Sequence, residues 1–185
     1  AAARFLPAAL SASVPIVIRA PFGACPGMAA QHTQSLEALF AGIPGLKVVT
    51  PATPRDAKGL MHAAIRDDNP VLFCEARHSS IKEDLTGRDC VVPIGKAAVA
   101  RAGTDATLVT YGSMLQTALA AAERLAEQGI DTEVVDLRTV LPLDERAILE
   151  SVAKTGHLIT ASEAHAPCSV ASEVATIVLE KGFHL

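Results

Sequence analysis

Hydrophobic positions along the chain switch between a strand period and a helix period. The run "VPIVIRAP" (14–21) is short, β-branched and closed by proline, which predicts a buried strand leading into the glycine-bearing loop "FGACPGMAAQHTQ" (22–34). Leu36, Leu39, Phe40 and Ile43 then recur at i, i+3, i+4 and i+7. That spacing predicts one helix face, with Ser35 placed as its cap and Gly42 near its end. "GLKVVTP" (45–51) predicts a second buried strand. The next helix has the clearest start: Thr53 can cap, Pro54 suits the first helical position and Asp56 lies at the positive end. Ala57, Leu60, Met61, Ala64 and Ile65 form its apolar stripe, and "NPVLFCE" (69–75) has the bulk of a third core strand. Strands alternating with helices imply parallel pairing through helical crossovers.

Residues 76–103 break the periodicity and mix charge with Gly and Pro, as in an extended connection between domains. A second series follows. It has the strand "ATLVTYG" (106–112), a helix from Met114 to Gln128 stopped by Gly129, and the strand "TEVVDLR" (132–138). Asp144 caps "ERAILESVAKTG" (145–156), "HLITASE" (157–163) is a further strand, and "SVASEVATIVLEKG" (169–182) is a last helix. The predicted fold class is α/β, with two parallel-sheet units.

Composition narrows the function classes. The 185 residues suit one large domain or two small ones, and half are hydrophobic. No apolar run approaches the roughly 18 to 20 residues that cross a bilayer, so no membrane partner is expected. The opening "AAARFLPAAL" reads as the inside of a helix and the closing "KGFHL" has no cap, which predicts a fragment of a longer protein. Residues 1–103 carry eleven Lys/Arg against eight Asp/Glu, and residues 104–185 carry five against twelve, so a basic part joins an acidic one. With no basic cluster, one Tyr and no Trp, a nucleic-acid groove is not expected. Cys25, Cys74, Cys90 and Cys168 lack metal-ligand spacing and read as reduced thiols of a cytoplasmic protein.

No GxGxxG, GxxxxGK[ST] or GxSxG motif occurs, so candidate chemistry sits in loops. In open α/β sheets the loops at the carboxyl ends of strands form the ligand crevice. Gln31, His32 and Gln34 lie in such a loop. From position alone, His32 is equally a catalytic group or a residue capping the next helix or bonding a nearby carbonyl. His62, His157 and His184 read as solvated or packing residues, and His78 and His165 as surface residues. Asp67, Asp68 and Asn69 follow a helix and read as a turn; such turns also expose carbonyl oxygens able to bind a hard cation.

Several stretches carry a resemblance. "VPIVIRAP", "AAQHTQSLEALFAGIPGLKVVTPATPRDAKGLMHAAIRDDNPVLF", "PIGKA", "TLVTYG" and "VVDLRTVLPLD" together resemble the beta subunit of the thiamine-diphosphate-dependent decarboxylating component of 2-oxo acid dehydrogenase complexes. The match runs through nearly the whole chain. "AAQHTQ" is more similar to the pyruvate and acetoin types than to the branched-chain type, which tends to have an aromatic before the histidine.

The resemblance implies a transketolase-like architecture. Residues 1–90 would be the later part of the pyrimidine-binding domain, 91–103 a connector, and 104–185 an incomplete C-terminal domain. It implies decarboxylation of a small 2-oxo acid, or cleavage of acetoin, and transfer of the acyl unit to a lipoyl group on an acyltransferase component, with the cofactor supplying the hard step. An alpha subunit would hold the diphosphate and Mg2+ in an alpha2beta2 heterotetramer, and the glutamate that activates the pyrimidine lies upstream of this segment. His32 matches the family's active-site histidine, a role suited to an imidazole. The carbonyls of Ile16, Ala64, Asp67 and Asn69 match positions that hold a structural K+.

The implied compartment is the bacterial cytoplasm or, in a eukaryote, the mitochondrial matrix. "CEARHSSIKEDL" and "RFLPAALSAS" depart from the family pattern. The alternatives are a branched-chain beta subunit, a single-chain transketolase or deoxyxylulose-phosphate synthase, and a non-catalytic α/β assembly domain.

Overall fold

Two four-stranded sheets follow from the two periodic series. The computed structural model describes residues 13–77, 81–85 and 90–184. In the first series, β1 (Val17–Phe22) and β2 (Lys47–Val49) both pair in parallel with β3 (Val71–Ala76). Between them lie α1 (Glu37–Ala41) and α2 (Pro54–Ile65). Thr53 caps α2 as predicted, its hydroxyl oxygen accepting from the Asp56 N–H at 3.1 Å. In the second series, β5 (Ala106–Thr110) is flanked in parallel by β6 (Thr132–Asp136) and β8 (Leu158–Thr160). Helices α3 (Met114–Ala126), α4 (Glu145–Thr155) and α5 (Val170–Lys181) complete that unit. Asp144 caps α4 through the Ala147 N–H at 3.4 Å, and left-handed Gly156 ends it.

Two strands escape the sequence pattern. β4 (Ala98–Arg101) lies within the predicted connector and pairs antiparallel with β6. β7 (Thr139–Leu141) leaves the second series altogether and joins the first sheet, antiparallel to β2. The sheet orders are β1-β3-β2-β7 and β4-β6-β5-β8. Each sheet therefore has three parallel strands and one antiparallel edge, where a wholly parallel arrangement was expected. Three- and four-residue strands are too short to carry a period, and their pairing is decided by tertiary docking.

The sheets share a core. Val48, Leu72 and Val140 of the first sheet pack in one cluster with Val109, Val135 and Leu137 of the second series and with Ile148 and Val174 of the helices behind them. The outer face of the first sheet is covered by Leu60 and Ala64 of α2, together with Val92 from the chain that follows β3. α3 covers the second sheet through Leu115, Ala118 and Ala122.

Three local expectations are corrected. β1 was expected to be buried, but it is an edge strand with Ile18 exposed, as is Ile16 just before it. Ser35 does not cap α1, which begins at Glu37 after Leu36 and has no side-chain cap bond. The expected apolar face of α1 reaches the core only in part: Phe40 packs against it, but Leu39 is 70% exposed, whereas Glu37 is buried. Phe40 alone of the large residues on that stripe finds a ring partner, packing on Phe22 at 6.3 Å between centroids.

Candidate active site

β1 ends at Phe22, and Gly23 turns the chain into the loop that carries His32. The backbone favours glycine there: its φ is +93°, and a Cβ would also stand 2.6 Å from Oε2 of Glu163, which would have to swing aside. The Gly23 N–H donates to the Gln34 carbonyl at 3.1 Å, which closes the loop at its base. Inside, the Thr33 hydroxyl donates to the Ala29 carbonyl at 2.9 Å. His32 ends a single 3-10 turn, Ala30–His32, with its side chain exposed at the carboxyl end of β1. It caps no α-helix, since α1 starts five residues later.

The second unit meets this loop at two points. Tyr111, directly after β5, donates from its hydroxyl to Oε1 of Glu37 at 2.6 Å, and both residues are buried. Burial and the adjacent Glu37 carboxylate push the Tyr111 phenol well above its ordinary range, so the hydroxyl remains a donor. Glu163, in the loop after β8, accepts from the Ala24 N–H at 3.0 Å. Between these contacts lies a cavity of about 30 Å³ lined by Glu37, Thr50, Cys74, Tyr111, Ser113 and Glu163. It has room for a water or two and no more. Burial pushes the Cys74 thiol upward, so this cysteine stays protonated and unreactive.

A charged cluster lies where the chain crosses between sheets. Asp56 at the start of α2 is 2.8 Å from the Arg138 guanidinium and almost fully enclosed. The contact is an ion pair and not a well-aligned hydrogen bond, because Oδ1 of Asp56 and Nε of Arg138 lack hydrogen-bond partners among the described residues. Asp136 is buried beside them and accepts from the Arg138 N–H at 3.1 Å. Burial pushes its carboxyl up to about 7; the Asp56 charge adds to the rise and the Arg138 N–H and guanidinium oppose it.

The remaining predicted residues fall in separate places. Ile16 precedes β1, and its carbonyl accepts from the Val71 N–H at 2.9 Å. Ala64 lies in the last turn of α2, and its carbonyl accepts from the Asp67 N–H at 3.3 Å. The Val14 N–H donates to the Asp68 carbonyl at 2.9 Å, so the lead-in to β1 runs beside the turn that holds Asp67 and Asn69. Burial alone would raise the Asp67 carboxyl, but the hydrogen bonds from Lys47 and the Asn69 N–H hold it below its usual range. Among the described residues, no group of three or more His, Cys, Asp or Glu side chains could hold a metal ion. His62 Nδ1 is 3.1 Å from the Cys90 carbonyl and His157 Nδ1 is 3.0 Å from the Thr155 carbonyl, which are structural roles for both. His165 and His184 are exposed, as expected for His165, and His78 lies outside the described residues. All four cysteines are free.

Glu37, Tyr111 and Glu163 were not singled out from sequence. Two signals were available. Glu37 is the one carboxylate inside "SLEALF", and Tyr111 and Glu163 both stand at the carboxyl ends of predicted strands, where ligand-facing loops begin.

Residues 1–81 match the transketolase pyrimidine-binding domain and residues 95–185 the transketolase C-terminal domain. The chain belongs to the transketolase-like family defined by that pair of domains. Curated proteins similar to it include beta subunits of 2-oxo acid dehydrogenases and of acetoin oxidoreductases. The 2-oxoisovalerate dehydrogenase subunit beta of Bacillus subtilis is 52% identical over 91% of this chain and 52% of its own length. The acetoin:2,6-dichlorophenolindophenol oxidoreductase subunit beta of the same organism is 48% identical, covering 94% of this chain and 51% of the relative. The pyruvate dehydrogenase E1 component subunit beta of Rhizobium meliloti is 49% identical over 91% of this chain and 37% of its own length. Branched-chain, acetoin and pyruvate types thus lie within a few per cent of one another in overall identity. The chain spans about half the length of the first two of these relatives. A solved split-gene transketolase, an inactive beta4 tetramer, superposes with a TM-score of 0.78 at 27% identity over 96% of this chain and 58% of that one. No helix among the described residues is long and apolar enough to cross a membrane.

Proposed function

We propose that this chain is the part of a beta subunit that presents His32 to a thiamine-diphosphate site shared with an alpha subunit. The enzyme would decarboxylate a 2-oxo acid, or cleave acetoin, and pass the acyl unit to a lipoyl group on an acyltransferase component. The observation that carries the reading is the exposed His32 turn at the carboxyl end of β1, in a chain about half identical to beta subunits of such dehydrogenases.

The cavity beside the loop, about 30 Å³, is far too small for a cofactor. His32 does not line it, so in this reading the thiamine site is completed by upstream residues of the full-length subunit and by an alpha subunit holding the diphosphate and Mg2+. Thiamine diphosphate, when bound, supplies the electron sink for breaking the bond next to the substrate carbonyl. His32 contributes a ring nitrogen that exchanges a proton with the substrate's carbonyl oxygen, and the loop closed by Gly23 and Gln34 holds that nitrogen in place. The turn beside β1 offers the carbonyls of Ile16, Ala64, Asp67 and Asn69 to a K+ ion. Each carbonyl has two lone pairs, so the single N–H bond at Ile16 leaves capacity for a cation, whereas the Ala64 carbonyl already accepts from both the Arg66 and Asp67 N–H groups and would have to give one of them up. The assembly would be an alpha2beta2 heterotetramer, working in a bacterial cytoplasm or a mitochondrial matrix.

The test is reconstitution of the full-length subunit with its alpha partner, assayed on pyruvate, branched-chain 2-oxo acids and acetoin. His32→Ala should lower turnover by roughly 10²- to 10⁴-fold, the range for losing a positioned acid–base group. Assembly and circular dichroism should stay as in the parent. A variant with near-normal acyl transfer, or a reconstituted pair inactive on every substrate, would overturn the reading.

A further inference from the structure

The loop that bears His32 is fastened from outside its own sheet. Its entry is fixed at Gly23 and Ala24 and its exit at Gln34 and Glu37, only five residues beyond the histidine. Two of those attachments end on the second unit, at Glu163 and at Tyr111. The Tyr111–Glu37 bond is the stronger of the two on physical grounds. It is buried, 2.6 Å long, and has an ionisable acceptor, whereas Glu163 is exposed. α1 has no side-chain cap of its own and spans five residues, so little within it would hold its first turn in register. Its one buried side chain is the Glu37 that Tyr111 holds.

We infer that Tyr111 is a positioning residue for His32: its hydroxyl locks Glu37, and through Glu37 the exit of the His32 loop, while Glu163 secures the entry. The inference rests on the reading of His32 given above. The C-terminal unit thereby takes part in the chemistry without touching substrate, because it decides where the imidazole stands. The cavity beneath the loop explains why a lost hydroxyl is not easily replaced. A water there could reach Glu37, but it would not transmit the orientation of a covalently held phenol.

The experiment uses the full-length beta subunit assembled with its alpha partner and has two arms. Amide hydrogen exchange reads the loop directly and does not depend on turnover. Tyr111→Phe should raise exchange in residues 24–36 while both sheets keep their protection. In the kinetic arm the same variant should lose roughly tenfold to a hundredfold in kcat, as for a catalytic group displaced by about an ångström, with KM for the 2-oxo acid nearly unchanged. Glu37→Gln keeps an accepting oxygen opposite the phenol and should retain the parent's loop protection and most of its turnover, and Glu163→Gln should do the same for the Ala24 contact. Unchanged exchange in residues 24–36 overturns the inference. So does exchange that rises across both sheets, which would make Tyr111 a docking residue only. Raised loop exchange with undiminished kcat, in an enzyme that His32→Ala still inactivates, overturns it as well. If His32→Ala itself proves active, the reading of His32 fails, and the inference fails with it even where the exchange arm still registers the tether.

Discussion

Leu39 and Leu60 occupy apolar stripes of similar spacing, yet their surroundings are opposite. Leu60 has no exposed surface and packs under α2 beside Phe73 and Val92. Leu39 is 70% exposed on α1. Leu60→Ala should therefore cost about 2 to 5 kcal/mol, the transfer term plus a cavity that the surrounding sheet cannot fill. Leu39→Ala should leave the subunit's own stability within about 0.5 kcal/mol. Urea titration of the two variants makes the comparison, and equal losses would show that α1 packs differently from the arrangement described. The apolar spacing in "SLEALF" was legible, but its orientation was not. Orientation depends on Glu37 finding Tyr111 seventy-four residues away.

At the scale of elements, the caps read from sequence are present at Thr53 and Asp144, because a cap needs only its own helix. The turn after α2 is different, since it is completed by the segment leading into β1 through the Val14–Asp68 and Ile16–Val71 backbone bonds. An ion held by the carbonyls of Ile16, Ala64, Asp67 and Asn69 would tie a helix end to a strand start. Such an ion binds only the folded protein and stabilises it by RT ln(1 + [L]/Kd), about 2.7 kcal/mol at a hundred times the dissociation constant. The full-length paired protein should accordingly melt at a higher temperature in potassium chloride than in lithium chloride of equal concentration. Superimposable melting curves in the two salts would remove the proposed ion.

Across the whole molecule, the boundary between the two units is a shared core with ionisable groups set into it. Asp136 is the most sensitive of these, its carboxyl lifted from 3.8 to about 7 by burial, with the Asp56 charge adding to the rise. The folded state then holds a proton that the unfolded state has released across that interval. Stability from this residue is fully present below about pH 4 and is lost as pH rises through about 7. Asp136→Asn keeps the size and an oxygen for the Arg138 N–H but removes the titration. Its stability relative to the parent should thus rise between about pH 4 and 7 and level off above. A flat difference across that range, measured by denaturant titration at several pH values, would show that Asp136 is ionised in the folded protein throughout.

The alternating series of strands and helices, most of their boundaries, two helix caps and the loop carrying His32 were determined by the sequence itself. Each of these depends on neighbours within a few residues, where periodicity, capping and turn chemistry act. The resemblance carried by "AAQHTQSLEALF" and "VVDLRTVLPLD" likewise placed the chain in its family before any coordinates. Tertiary structure alone decided that "TVL" crosses to the first sheet, that β4 edges the second, and that α1 buries its glutamate and exposes Leu39. It also decided that Tyr111 and Glu163 close on the His32 loop. Those outcomes are set by pairings between residues far apart in the chain. A short strand or a single buried carboxylate has no local period from which its partner could be read.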